Sequence, residues 1–162
     1  MQTEEFLAAL KNNAEELRRI NRLINATFNV RGLSKVHWAA WVAATNELHT
    51  RWDQLAFPGG ISKELELLRQ GDIAAASKAL LYMENPPYSF RSQYIAKDFR
   101  RCLNKIEKQL PPELQERFSN YKKMVSARKV AKAKKMAQLT PDEQITALRR
   151  RKERARRRRS EA

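Results

Sequence analysis

Cysteine is almost missing from this chain of 162 residues: Cys102 stands alone. No internal disulfide is possible, and a reducing compartment is expected rather than a secreted setting. Glycine is scarce as well, with four residues in the whole chain. No stretch combines period-two alternation with β-branched residues and turn dipeptides, so little or no sheet is expected. What is plentiful, Ala, Leu, Lys, Arg, Glu and Gln, is a helix former's composition. No apolar run approaches the ~18 residues needed to cross a bilayer. The opening MQTEEF is acidic and amphipathic, unlike a signal peptide.

Carboxylates are the next shortage, and they are short in one place. Residues 118–162 carry 16 Lys/Arg against 4 Asp/Glu, net +12, whereas residues 1–117 carry 17 against 14, net +3. Four-fifths of the +15 total therefore lies near the C-terminus, which makes a polyanion the leading partner. A nearly neutral stretch of that length is still able to bury a core, removing roughly two-thirds of its unfolded surface from water.

The pattern along the chain is helical. Phe6, Leu10, Leu17, Ile20 and Ile24 share one face of a first helix over 3–26, with Thr3 as cap and a Glu15–Arg19 pair four residues apart. Lys11, Arg18, Arg19 and Arg22 form an ordinary solvated face, relieved by Glu15. Ser34 caps a second helix running to about Phe57, where Trp38, Trp41, Val42, Thr45, Leu48, Trp52 and Leu55 fall in one arc. Three tryptophans on a stripe are able to stack bases, but each buries on the order of 200 Å², so the core is their expected place. His49 projects onto the same stripe and is expected to be buried with them. The turn at Pro58-Gly59-Gly60 has no following Gly-Lys-Ser/Thr and is not a phosphate loop.

Ser62 and Asp72 are expected caps of two short helices separated by Gly71. LLRQGDIAAASKALLYM resembles a helical hairpin of the kind found in helical repeat proteins, but one copy makes no repeat. Asn85-Pro86-Pro87 forbids helix. A fifth helix follows over 92–109 with an apolar stripe of Ile95, Phe99, Cys102, Leu103, Ile106 and Leu110. Pro112 opens a sixth, on which Leu114, Phe118, Tyr121 and Val125 should be buried. Beyond Val125 the stripe fails, because Arg128, Lys129 and Lys132 take the angles of the next apolar residues. Thr140-Pro141-Asp142-Glu143 then reads as a capping box, followed by RRRKERARRRR, whose last turns are expected to fray until a partner neutralises them.

Nothing in this pattern assembles a catalytic site or a metal centre. His37 and His49 lie twelve residues apart with no converging ligands. Cys102, on an apolar stripe, has no visible activator. No enzyme activity, cofactor, metal or small-molecule substrate is expected.

Binding has three candidate elements. The first is the basic extension and tail: Arg128, Lys129, Lys132, Lys134 and Lys135, then Arg149, Arg150, Arg151, Lys152, Arg154, Arg156, Arg157, Arg158 and Arg159. Dense Lys/Arg releases counterions from phosphates, and Arg adds bidentate geometry. Nine positive residues in eleven resemble the arginine-rich segments of RNA-binding proteins; the same run would serve as a nuclear localisation signal or an electrostatic membrane tether. The second is the polar side of the fifth helix, Lys97, Arg100, Arg101 and Lys108. The third is the loop where Tyr88, Phe90 and Tyr94 interleave with Arg91, able either to stack unpaired bases or to pin the loop to the core.

The sequence thus predicts an all-α protein: a compact bundle of five or six helices over 1–125, with a basic helical extension and arginine-rich tail over 126–162. The expected function is nucleic-acid binding, RNA ahead of DNA, by a non-enzymatic accessory or regulatory protein such as a small helical subunit of a ribonucleoprotein. The cytoplasm is the expected location, or the nucleus if the source is eukaryotic. The alternative is a protein–protein interaction module whose tail serves localisation or tethering.

Overall fold

A computed structural model describes residues 3–140 and, after them, residues 142, 143, 145, 146, 149, 150, 152, 153, 155 and 156. Six α-helices account for most of it, and no strand occurs among the described residues: α1 (Thr3–Val30), α2 (Lys35–Ala56), α3 (Ile61–Arg69), α4 (Ile73–Glu84), α5 (Ser92–Ile106) and α6 (Pro112–Ala137). A short 3-10 turn, Glu107–Gln109, joins α5 to the Pro111-Pro112 break. The chain divides into two compact units, Met1–Gln115 and Glu116–Ala162.

In the first unit α1 and α2 pack along each other as an antiparallel hairpin, turning at residues 31–34. Helix α1 outruns its expected end at residue 26, because no Gly or Pro interrupts propagation before Gly32. Ser34 caps α2 as expected, its hydroxyl accepting from the His37 amide at 3.3 Å. Charges fix the hairpin's register. Arg19 donates to Glu16 at 2.8 Å and to Glu47 across the hairpin, and Arg51 donates to Glu16 at 2.6 Å and Glu47 at 2.8 Å. The expected Glu15–Arg19 pair gives way to this network, since Glu16 faces α2 and meets two guanidiniums where Glu15, on the outer side, is exposed.

Helix α3 starts differently from expectation. Gly60, not Ser62, occupies the cap position, and Asp53 of α2 reaches over to accept from the Ser62 amide at 2.9 Å and its hydroxyl at 2.5 Å. A side chain at residue 60 would place its Cβ 2.6 Å from Asp53 Oδ2, and φ there is +93°, so this corner requires glycine on both counts. At the other end of α3, Gly71 (φ +85°) donates to Leu68 O at 3.2 Å and Asp72 to Leu67 O at 3.0 Å, which closes the helix with a Schellman motif. Asp72 then caps α4, accepting from Ala75 N at 2.7 Å. Glu64 is buried on α3, its carboxylate 3.3 Å from Lys78 Nζ of α4.

The core gathers around Phe57, the residue that ends α2. Its ring is fully buried and meets Phe6 of α1 at 5.2 Å, Phe99 of α5 at 5.3 Å and Tyr82 of α4 at 5.8 Å. A second cluster of Leu17, Ile20 and Leu48 is flanked by Ile24, Trp52, Leu55 and Phe90.

The tryptophan stripe departs from its expected burial. Only Ala44, Leu48 and Ala56 are buried on α2; Trp41 and Trp52 are half-buried, and Trp38 is 53% exposed. His49 is likewise exposed, not in the core. Periodicity placed these side chains on one face correctly, but coverage needs a neighbour. At the turn end of the hairpin the ring of Trp41 meets Trp38 at 5.0 Å and Phe28 at 6.1 Å, with the Arg31 guanidinium 5.9 Å away, all residues of the hairpin itself.

In the second unit, Phe118 is buried with the Lys122 ammonium 4.7 Å from its ring centroid, while Tyr121 and Val125 are half-buried. From Ser126 to Lys135 every residue is exposed and helical. Past the bend at residues 138–140, the Thr140 capping box forms, its amide donating to Glu143 at 2.8 Å and its hydroxyl at 2.9 Å. Those bonds favour the ionised carboxylate and hold the Glu143 carboxyl below its ordinary range, the Thr140 amide contributing most. Pro141, the expected first helical residue, lies outside the described residues, as does Leu148.

Replacing Phe57 by alanine should cost about 3–5 kcal/mol in urea unfolding, the range for emptying a buried aromatic site. A cost near that of a surface change would mean that the ring contacts around Phe57 are dispensable. The charge network makes a pH-dependent prediction. Bonds from Arg19 and then Arg51 hold the Glu16 carboxyl down to about 2 from its ordinary 4.5. A depressed carboxylate adds stability that is present above its unfolded value and is lost as pH falls through the folded one. Glu16→Gln should therefore melt a few degrees below wild type at neutral pH, exposed ion pairs being weak. The gap should narrow below about pH 4.5 and close toward pH 2.

Candidate nucleic-acid interface

The loop between α4 and α5 is held in an uncommon backbone shape. Two non-glycine residues, Tyr88 (φ +40°) and Arg91 (φ +59°), adopt left-handed conformations, each at a cost on the order of 1 kcal/mol or more. Pro86-Pro87 stiffens the approach, and hydrogen bonds from Ser92 N to Ser89 O (3.2 Å) and Tyr94 N to Arg91 O (2.9 Å) lead into α5. Phe90 anchors the loop, its ring edge-to-face with Trp52 at 5.7 Å. The Arg91 guanidinium stands 4.9 Å from the Phe90 centroid and 6.0 Å from that of Trp52.

Of the three stacking candidates, then, Phe90 is engaged with the core cluster, whereas Tyr88 and Tyr94 are 78% and 68% exposed. A strained loop whose exposed residues include tyrosine and arginine is chemically suited to flat, negatively charged ligands.

Helix α5 continues from this loop. Ile95, Phe99, Cys102, Leu103 and Ile106 are buried, so the opposite side faces solvent. Lys97, Arg101 and Asn104 are exposed there; Arg100 is half-buried, and Lys108 is exposed on the 3-10 turn. Arg101 is not a lone cation. Its Nη1 stands 3.3 Å from Asp98 Oδ1, because an i,i+3 side chain just outside the basic arc still reaches it. Lys105, exposed one turn on from Arg101, extends the face and lay outside the arc drawn from the sequence.

In the second unit Arg128, Lys129, Lys132, Lys134 and Lys135 are all exposed on α6. Arg128, Lys132 and Lys135 share one side, Lys129 flanks it, and Lys134 points away. Arg149, Arg150, Lys152 and Arg156 are exposed and helical. Arg151, Arg154, Arg157, Arg158 and Arg159 lie outside the described residues.

Among the described residues no group of three or more His, Cys, Asp and Glu side chains converges, and no helix is long and apolar enough to cross a membrane. Cys102 is buried, and His37 Nδ1 rests 2.7 Å from the Ser34 hydroxyl. Comparison with protein-family models, with curated proteins and with solved structures finds no match.

One group escaped the sequence reading: Phe28, Arg31, Leu33, Lys35, Val36 and Trp38 at the hairpin turn, a basic surface rich in apolar side chains. The available signal was the missing acid, since no Asp or Glu occurs between Glu16 and Glu47.

If the loop's shape is kept for binding at the expense of stability, Tyr88→Gly separates the two. Glycine adopts positive φ freely, so the variant should unfold at equal or higher denaturant, by up to about 1 kcal/mol. Its affinity for single-stranded RNA should fall. A loss of stability together with unchanged affinity would assign Tyr88 to packing.

Proposed function

We propose that this protein binds nucleic acid, RNA ahead of DNA, as a non-enzymatic accessory or regulatory protein, such as a small helical subunit of a ribonucleoprotein. The observation that carries the reading is the exposed, carboxylate-free helix of the second unit. No Asp or Glu occurs between Glu116 and Asp142, and residues 128–135 hold five cations on solvated helix. At ~1.5 Å rise per residue, that is roughly one positive charge every 2.4 Å counted around the whole helix, of the same order as the ~1.7 Å per negative charge of a duplex. A phosphate backbone matches that density, and release of its counterions drives association.

RNA is favoured by the loop rather than by the charge. Tyr88 and Tyr94 are exposed beside Arg91 and Lys97, and stacking of this kind needs bases that are unpaired or splayed out. In this mechanism the extension and tail supply affinity and steering, while the loop and the α5 face orient the ligand. The cytoplasm, or the nucleus of a eukaryotic source, is where such a ligand would be met.

Fluorescence anisotropy over a salt series tests this, with single-stranded RNA, structured RNA and duplex DNA as ligands. Wild type should bind all three with steep slopes, ~0.7 log units per phosphate contact on single strands and ~0.9 on duplex DNA. Changing Arg128, Lys129, Lys132, Lys134 and Lys135 to Gln should weaken every ligand alike and flatten the slope. Changing Tyr88, Tyr94 and Lys97 to Ala should erase the preference for unpaired RNA, each lost stack being worth about 1–3 kcal/mol. No binding even near ~50 mM salt, where such contacts are strongest, would rule nucleic acid out.

A further inference from the structure

We propose that the turn end of the α1–α2 hairpin is a docking point for an anionic membrane surface. Its side chains are the reverse of a soluble helix end. Leu33 in the turn and Val36 in the first turn of α2 are 73% and 77% exposed; Trp38 and Phe28 behind them are 53% and 44% exposed. Large apolar side chains clustered in the open mark an interaction site rather than ordinary surface.

The charge around them selects the partner. Arg31 and Lys35 bracket Leu33, Arg22 lies exposed farther along α1, and no carboxylate occurs between Glu16 and Glu47. Where the acids resume, both are engaged by Arg19 and Arg51. Arg31 is pre-set, its guanidinium stacked 3.3 Å from the Phe28 centroid and donating to Phe28 O. Such an end is complementary to lipid phosphates at its cations and to acyl chains at its apolar residues. The layering also fits: the aliphatic residues lie at the turn, and tryptophan lies just behind, where indole favours the headgroup level.

Other occupants fit less well. Leu33 and Val36 offer no flat π-face for a nucleic-acid base. A stable protein interface needs about 800 Å² and 20–30 residues a side, more than the end of two helices offers. A soft bilayer accepts a convex, shallow insertion without a matching surface. A few inserted side chains bind only marginally, so a second attachment is required. The C-terminal charge, net +12 over residues 118–162, is a second source of attraction to anionic lipid.

The test uses the full chain with vesicles of phosphatidylcholine alone or mixed with phosphatidylglycerol, with and without bromine on the acyl chains. Wild type should float with the anionic vesicles, its tryptophan emission shifting to the blue and being quenched by brominated lipid. Part of that binding should survive about 1 M salt, where charge is screened beyond ~3 Å. Leu33→Glu with Val36→Glu, at positions too exposed to disturb the fold, should keep wild-type helicity by circular dichroism. It should lose the quenching and lower salt-resistant binding about tenfold or more. Leu33→Ile with Val36→Leu should retain both. Flotation without quenching would leave the tail alone as the contact and overturn the proposal. Two further results would do the same: a dimer in sedimentation that the Glu pair dissociates, or Trp38-dependent quenching by single-stranded RNA in place of lipid.

Discussion

The burial of Phe57 is the constraint on which the first unit depends. One ring touches side chains from α1, α4 and α5 while ending α2, so four helices share a single point of contact. The chain must leave that point at once and reverse, which explains the sequence immediately after it. Pro58-Gly59-Gly60 turns the backbone, and the close approach of Asp53 at Gly60 both permits the turn and starts α3. Within the first unit, α4 and α5 are held to this corner through Tyr82 and Phe99. The loop before α5 is tied back to α2 by a second aromatic contact, Phe90 on Trp52.

Much of the fold was legible because the signals were local. Asp72 after Gly71, Ser34 before α2 and Thr140 with Glu143 each name a helix end through hydrogen bonds that reach three residues, and all three formed. The apolar stripe of α5 was read correctly for the same reason, one helix turn predicting the next. What failed required knowledge of another element. Whether Glu15 or Glu16 pairs with Arg19 depends on where α2 lies, and a carboxylate that serves two guanidiniums displaces one that serves a single partner. Asp53 took the role expected of Ser62 because the turn brings α2 and α3 together. The tryptophans show the limit most clearly: a period gives a helix its apolar side but does not supply the surface to cover it.

The candidate interface was legible in composition and only partly in geometry. Charge counts found the cations of the second unit, whose exposure follows from a helix with nothing large to bury. They did not separate Phe90 from Tyr88 and Tyr94, since three aromatics in seven residues look alike until one of them meets Trp52. Nor did they reveal the left-handed backbone at Tyr88 and Arg91, which no propensity would assign to those residue types. The two units therefore differ in how sequence specifies them. The first is defined by close packing about a few rings, and the second chiefly by what its surface lacks.

The burial of Cys102 has a practical side. The only thiol of the chain lies on the buried face of α5 beside Phe99, Leu103 and Ile106, where burial makes it a poor nucleophile. A cysteine placed at an exposed position such as Leu33 or Tyr88 would then be the sole reactive sulfur. A dye or spin label could be attached there without removing the native residue. The fold in this sense comes prepared for site-specific spectroscopy, with one silent thiol inside and open positions at both surfaces of interest.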